Sequence, residues 1–284
     1  MGMGTEKGEG ELVKRLREEA KRLLEAGEVW VVLGYRNLNG VCTPYFARSP
    51  EEAERLTFDE GCTHNLARYL VGREGLLSRP NPERRGKVAL VAHPATLRAV
   101  VGLIQERQFA REDLVILGIV DKGKGDGLGL EPDLIIGELE GLDLREHYRK
   151  EFEEFERLGR EERKRFWLEQ AERCIRCYAC REICPFCYCE ECIADQNKPQ
   201  WINRSPRRVN NLIWLAIRAL HLAGRCVECG ECERACPVEI PLMLLNTKLA
   251  EVIRENFGYE AGKDPEAKPP LADFRVDDKA EFIR

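Results

Sequence analysis

The sequence predicts an α/β N-terminal domain built on a small parallel or mixed sheet, followed by a mainly α-helical, cysteine-rich domain. Three observations carry that expectation. Two short apolar runs, residues 87–91 and 114–120, flank one helical stretch over 95–108, the pattern of parallel strands joined by a right-handed crossover. Eight of the 13 cysteines stand in two copies of one spacing, Cys174-x2-Cys177-x2-Cys180-x3-Cys184-Pro185 and Cys226-x2-Cys229-x2-Cys232-x3-Cys236-Pro237. Between the copies, residues 207–223 read as a helix closed by Gly224, with Leu212, Ala216, Ala219 and Leu220 on its apolar side.

In chain order, residues 11–26 place Leu12, Leu16 and Leu23 on one side of a charged helix that Gly27 stops. Residues 29–33 and 41–47 read as strands around Asn39-Gly40, a pair that favours a hairpin turn. A short helix from Pro50 and another over 65–71 follow, the second read as plain helix packing. Ligands of parallel sheets bind outside the carboxyl ends of the strands, which singles out 93–98 and 121–130. His93 reads there as a hydrogen-bonded structural residue, since no carboxylate or second ligand can be placed beside it. The glycine-rich stretch 122–129 reads as a loop, because Glu131-Pro132 follows it where a phosphate cradle needs a helix start. Residues 133–137 make a third strand, and 142–172 one charged helix with Tyr148, Phe152 and Phe155 on a single face. The boundaries expected are 1–141 for the α/β domain, 142–173 for a linker helix, 174–256 for the cysteine domain and 257–284 for an extended arm.

The repeated spacing is that of a two-[4Fe-4S] ferredoxin domain. Cysteines three apart in a tight turn bring successive thiolates to neighbouring corners of one cubane, and the cysteine before each proline ligates the other cluster. The expected sets are Cys174, Cys177, Cys180 and Cys236 on one cluster, and Cys226, Cys229, Cys232 and Cys184 on the second. Zinc uses four ligands in two pairs and has no need of a third evenly spaced cysteine and a proline, repeated. A disulfide framework fits neither the odd number of cysteines nor the length of the chain.

Five cysteines are left over. Cys187-x-Cys189-x2-Cys192 supplies three thiolates, which suggests a third [4Fe-4S] cluster completed by Cys62 or Cys42. Zinc with His64 or His221, and buried apolar cysteines beside the clusters, are the alternatives.

A net charge of -5, without a basic stripe, argues against nucleic-acid binding. No apolar run approaches a membrane span and residues 1–10 do not read as a signal peptide, so a cytoplasmic protein is expected. The acidic residues Glu228, Glu231, Glu233 and Glu239 around the second motif read as a solvated surface or docking patch.

The unit over 87–120, with Leu103-Ile-Gln-Glu-Arg-Gln-Phe-Ala-Arg-Glu-Asp-Leu-Val-Ile-Leu-Gly118, and the stretch Cys62-Thr-His-Asn-Leu-Ala-Arg-Tyr-Leu70 resemble the beta-subunit family of deazaflavin-coenzyme hydrogenases and dehydrogenases. The segment Cys184-Pro-Phe-Cys-Tyr-Cys-Glu-Glu-Cys192 resembles proteins accompanying formate dehydrogenase, hydrogenase or heterodisulfide reductase. The resemblance implies partner subunits of such a complex, and FAD on the α/β half. The turn Ala95-Thr96-Leu97-Arg98 departs from the Cys-Asp-x-Arg of many relatives, and Arg98 alone keeps the family residue as a flavin contact. The function expected is that of an iron-sulfur electron-transfer subunit relaying single electrons. Its rivals are a flavin subunit splitting hydride from NAD(P)H or the deazaflavin coenzyme, and an adapter whose metals only staple the fold.

Overall fold

The computed structural model describes residues 5–78, 86–121 and 129–270; most of the glycine-rich stretch and the end of the expected arm lie outside them. Helix α1 (Thr5–Glu25) buries Leu12, Leu16, Ala20 and Leu23, the side that its 4-4-3 apolar spacing presents to the sheet. Strands β1 (Val29–Leu38) and β2 (Val41–Ala47) form the hairpin, and Asn39 and Gly40 both take positive φ in its turn. Helix α2 (Pro50–Ala53) starts on Ser49, whose hydroxyl accepts from the Glu52 amide. Residues Leu66–Leu70 form a 3-10 turn that the Asn65 side chain caps. Strand β3 (Lys87–Ala92), helix α3 (Pro94–Gln105), strand β4 (Leu114–Asp121) and strand β5 (Leu134–Leu139) complete the half.

The strand order is β2-β1-β3-β4-β5, with β1–β2 antiparallel and every other neighbour parallel, a mixed five-stranded sheet. The inner strands are buried on both faces: Val88, Ala89, Leu90 and Val91 expose nothing. Close backbone approach is built in at Gly137, where a Cβ would meet Leu12 at 2.7 Å.

The second half is helical. In place of one helix over 142–172 stand α4 (Arg145–Glu156) and α5 (Arg160–Arg173). Gly159 separates them by starting the second: its amide donates to the Glu162 carboxylate at 2.8 Å. Tyr148 and Phe152 are buried on α4, while Phe155 stacks against Phe166 and Trp167 across the break. Helix α7 (Arg208–His221) buries Asn211, Trp214, Leu215, Arg218 and Ala219, whereas Leu220 is 58% exposed. The buried face is thus rotated from the apolar one expected, because polar groups on it reach backbone carbonyls of the first cysteine motif: Asn211 Nδ2 donates to Ala171 O and Cys174 O, at 2.9 and 2.7 Å. Helix α9 (Leu242–Phe257) ends at Gly258 in the left-handed conformation.

The halves share a core. Cys184, Phe186, Leu222 and Val227 belong to the apolar cluster that holds the sheet, and a Cβ at Gly102 of α3 would meet the Phe186 ring at 2.8 Å. The chain after α9 returns to α3, where Gln105 Nε2 donates to Asp264 O and Ala267 O and Tyr259 Oη donates to Gln105 Oε1.

Candidate iron-sulfur centre

The two cysteine motifs fold as copies of one another. In the first, Arg176 and Tyr178 take φ of 58° and 60°; in the second, the equivalent Glu228 and Gly230 take 54° and 76°. Two left-handed residues around the second cysteine of each motif bend the backbone sharply, the conformation that gathers three closely spaced thiolates to one side. Each turn then enters a single helical turn carrying the third cysteine: α6 (Ala179–Glu182) holds Cys180 and α8 (Glu231–Arg234) holds Cys232. Gly230 has a reason beyond φ, since any Cβ there would collide with the Tyr148 hydroxyl.

The cysteine before each proline lies near the other copy. Cys184, from the first motif, lines one cavity with Cys226, Cys229 and Cys232 from the second. Around the other site the Cys174 thiol is pushed up by burial and by the neighbouring Cys236 and Cys177. Burial likewise raises Cys180 to about 12, with Cys232, Cys174 and Cys236 adding to it. Cys236 therefore lies with Cys174 and Cys180, and Cys180 also senses Cys232 of the second set. Buried thiols that resist ionisation in the bare chain are ionised by a bound metal centre, which supplies the positive charge they lack.

The spread of the thiols suits a cubane rather than a single ion. Zinc–sulfur bonds of about 2.3 Å in a tetrahedron put neighbouring sulfurs roughly 3.8 Å apart. Among the described residues, the one trio of His, Cys, Asp or Glu ligand atoms lying within 4.8 Å of one another is Cys42, Asp59 and Cys62. No three motif cysteines come that close, as expected when each reaches a different corner of a cluster. The eight residues fit two [4Fe-4S] clusters.

Charge around the site is paired. Arg218, 4% exposed, donates to Cys180 O at 2.8 Å and lines both the Cys184/Cys226/Cys229/Cys232 cavity and the neighbouring one that holds Cys187, Cys189 and Cys192. Its position, between ligands of both motifs, was not legible as a site feature in the sequence. Glu228 and Glu231 correct the expected acidic surface: both are buried, Glu228 on Arg149 at 3.0 Å and Glu231 on Arg234 and, at 3.1 Å, His64. Glu233 accepts from the Met243 amide, and Glu239 alone stays exposed.

Two expected site residues are reassigned. Arg98 is 1% exposed and all three guanidinium nitrogens are engaged, two on Asp143 at 3.0 and 3.2 Å and one on Val227 O at 3.4 Å. Buried and held on Asp143 and Val227 O, it pins the sheet to the second cysteine motif rather than facing an open cofactor site. The cavity at the strand ends, which His93 and Cys62 help to line, measures about 110 Å3, against roughly 300–1,000 Å3 for small-molecule cofactor pockets. Cys62 is the second correction. It is bonded to Cys42 (S–S 2.01 Å), so neither sulfur is available to complete a cluster with Cys187, Cys189 and Cys192, and those three line a different cavity, with His221. His93 caps α3 with its ring buried, Nε2 lying 3.3 Å from His64 O and 3.2 Å from Thr96 Oγ1; burial lowers it to about 4.

Residues 170–240 match a family described as 4Fe-4S dicluster domain. The chain is 36% identical over 130 residues to the F420-dependent formate dehydrogenase subunit beta of Methanocaldococcus jannaschii, covering 46% of this chain and 32% of that protein. It is 35% identical over 105 residues to the F420-dependent formate dehydrogenase 1 subunit beta of Methanococcus maripaludis, covering 37% of this chain and 26% of the relative. The chain thus spans about a third or less of the length of these curated relatives. Electron transfer within an oxidoreductase is what a dicluster domain in such company implies.

Proposed function

We propose that this chain is the iron-sulfur electron-transfer subunit of an oxidoreductase complex of the formate dehydrogenase type, relaying single electrons between partner subunits. The observation that carries the reading is the crossing of the motifs: Cys184 joins the cavity of Cys226, Cys229 and Cys232, while Cys236 lies with Cys174 and Cys180. When bound, each cluster supplies one-electron chemistry at a potential set by charge, hydrogen bonds and exposure. The protein's contribution is to hold the two ligand sets side by side, burying Cys184 and Cys232 while Cys177 stays exposed. Its relatives' F420-dependent formate oxidation gives the complex a substrate class, with the α/β half serving as a docking platform on the catalytic partners. Hydrogenase-type and heterodisulfide-reductase-type partners share the need for such a relay.

Cys187, Cys189 and Cys192 extend the reading to a third cluster. They line a cavity of about 250 Å3 that His221 also lines, an available fourth donor now that Cys62 is committed elsewhere. Among the described residues no helix is long and apolar enough to cross a membrane. The test is metal analysis of the anaerobically purified chain with reductive titration near 400 nm. Eight irons per chain, or twelve with the third site, and reversible bleaching are expected. Zinc in their place, or clusters that no low-potential donor reduces, would leave the adapter reading.

A further inference from the structure

Of the 13 cysteines, eleven are free thiols and two, Cys42 in β2 and Cys62, are bonded to each other. The bond is not what places β2 in the sheet. The β1–β2 ladder already holds β2, and the Thr57 amide, bonded to Tyr35 O at 2.9 Å, ties the segment leading to Cys62 to the same strand. A crosslink also stabilises by restricting the unfolded chain; here 20 residues separate the pair.

The segment that follows Cys62 is clamped onto the turn that carries Cys229. One nitrogen of Arg234, Nη2, donates to Thr63 O at 3.3 Å and to Cys229 O at 2.8 Å. His64 Nδ1 lies 3.1 Å from the buried Glu231 carboxylate, two residues beyond Cys229. Cys62 and Cys229 also line the same cavity of about 110 Å3 at the strand ends. The oxidised pair is therefore the one set against a ligand of the second cluster. Cys42 and Cys62 are 7% and 2% exposed, so electrons reach them through the protein more readily than by contact with a soluble thiol.

We propose that Cys42–Cys62 is a redox-active disulfide reduced by electrons from the cluster held by Cys226, Cys229, Cys232 and Cys184. It gathers two single-electron deliveries into one two-electron couple, a role that rests on the relay reading above. The S–S bond breaks, two electrons and two protons enter, and two thiols form. A cluster held by Cys226, Cys229, Cys232 and Cys184 would be the reductant, supplying one electron at a time from the relay. The surroundings of Cys62 suit the reduced state: the Asp59 amide donates to its sulfur at 3.4 Å, which stabilises a thiolate, and Asp59 Oδ1, 3.6 Å away, accepts from the thiol once protonated.

The test uses the full chain, purified anaerobically with its clusters and titrated with titanium(III) citrate. Electron paramagnetic resonance follows the clusters, while differential alkylation and mass spectrometry follow Cys42 and Cys62. The pair is expected to open as reduction proceeds. A Cys42→Ser/Cys62→Ser variant is expected to take up two electrons fewer than the native chain, and Cys229→Ala to slow opening at least tenfold. Clusters that reduce normally while Cys42 and Cys62 stay bonded would overturn the proposal and leave the relay standing. Equal opening rates with and without Cys229 would overturn it too, as would zinc bound at Cys42, Asp59 and Cys62. Clusters that cannot be reduced would end both readings.

Discussion

Arg98 and Asp143 make an asymmetric prediction about how the two halves are held together. Arg98 is 1% exposed, and its charge is met by Asp143 through two bonds and by one carbonyl, Val227 O. Asp143 has a second cation: Arg145 donates to it through Nη2 at 2.9 Å and through Nε at 3.1 and 3.3 Å. Burial would raise the Asp143 carboxyl, but Arg98 and Arg145 outweigh it and hold the group well below the usual carboxylate range. Removing one partner of a buried pair costs about 3–5 kcal/mol when the other is left uncompensated. Asp143→Leu strands the Arg98 charge on one carbonyl and should cost the full ~3–5 kcal/mol. Arg98→Met leaves Asp143 paired with Arg145 and keeps the apolar stem, so a smaller loss of about 2–3 kcal/mol is expected. Contacting residues are not additive, and Arg98→Met/Asp143→Leu, with no charge left to strand, should cost less than the two single losses together. Anaerobic urea unfolding of the cluster-loaded chain, followed by far-ultraviolet circular dichroism, measures all three. An Arg98→Met loss equal to or larger than that of Asp143→Leu would refute the assignment of Arg98 as an internal anchor.

Three further outcomes follow from the same structure. His93 is held neutral by burial, with its folded value near 4 against an ordinary 6.5; the unfolded chain therefore binds its proton first, and stability should fall by about 3 kcal/mol as pH drops from 6.5 towards 4, then level off. Unfolding of His93→Gln across that window should lack this contribution, and an unchanged slope would contradict it. Gly230→Ala sets a methyl against the Tyr148 hydroxyl at a residue with φ of 76°, so that variant should lose the second cluster's iron first, measured as roughly four of eight atoms for a [4Fe-4S] centre, while retention of full iron content would count against the turn geometry. Arg218→Gln removes a buried positive charge beside both ligand sets and should lower the cluster potentials, by about 1–2 kcal/mol per electron at an effective dielectric of roughly 20. Spectroelectrochemistry checks this, Arg218→Lys should restore most of the shift, and a rise in potential would be the contrary result.

What could be read in advance was whatever local chemistry imposes. The cysteine repeat is legible because iron-sulfur ligation fixes ligand intervals, and the hairpin because Asn39-Gly40 fits positive φ at two successive positions. The parallel unit over 87–120 is legible because strands buried on both faces are written as unbroken apolar runs. What escaped depended on tertiary partners. Helix α7 turns Asn211 and Arg218 inward because backbone carbonyls of the first cysteine motif await them, a demand that apolar periodicity does not register. Glu228 and Glu231 read as surface charges until Arg149, Arg234 and His64 arrive from elsewhere in the chain. The pairing of Cys42 with Cys62 depends on β2 lying beside the loop after α2, and the engagement of Arg98 on a second half docking against α3. The break between α4 and α5 carries a local signal, Gly159-x2-Glu162, a helix start inside a charged run.

The crossing of the ligands is tested most directly by a reductive titration, followed by electron paramagnetic resonance, of the native chain beside Cys236→Ser and Cys184→Ser. Two mutually broadened cluster signals are expected from the native chain. Cys236→Ser should perturb the cluster held by Cys174, Cys177 and Cys180, and Cys184→Ser the one held by Cys226, Cys229 and Cys232. If each substitution instead altered the cluster of its own motif, or the native chain gave no reducible cluster, the arrangement described here would be wrong.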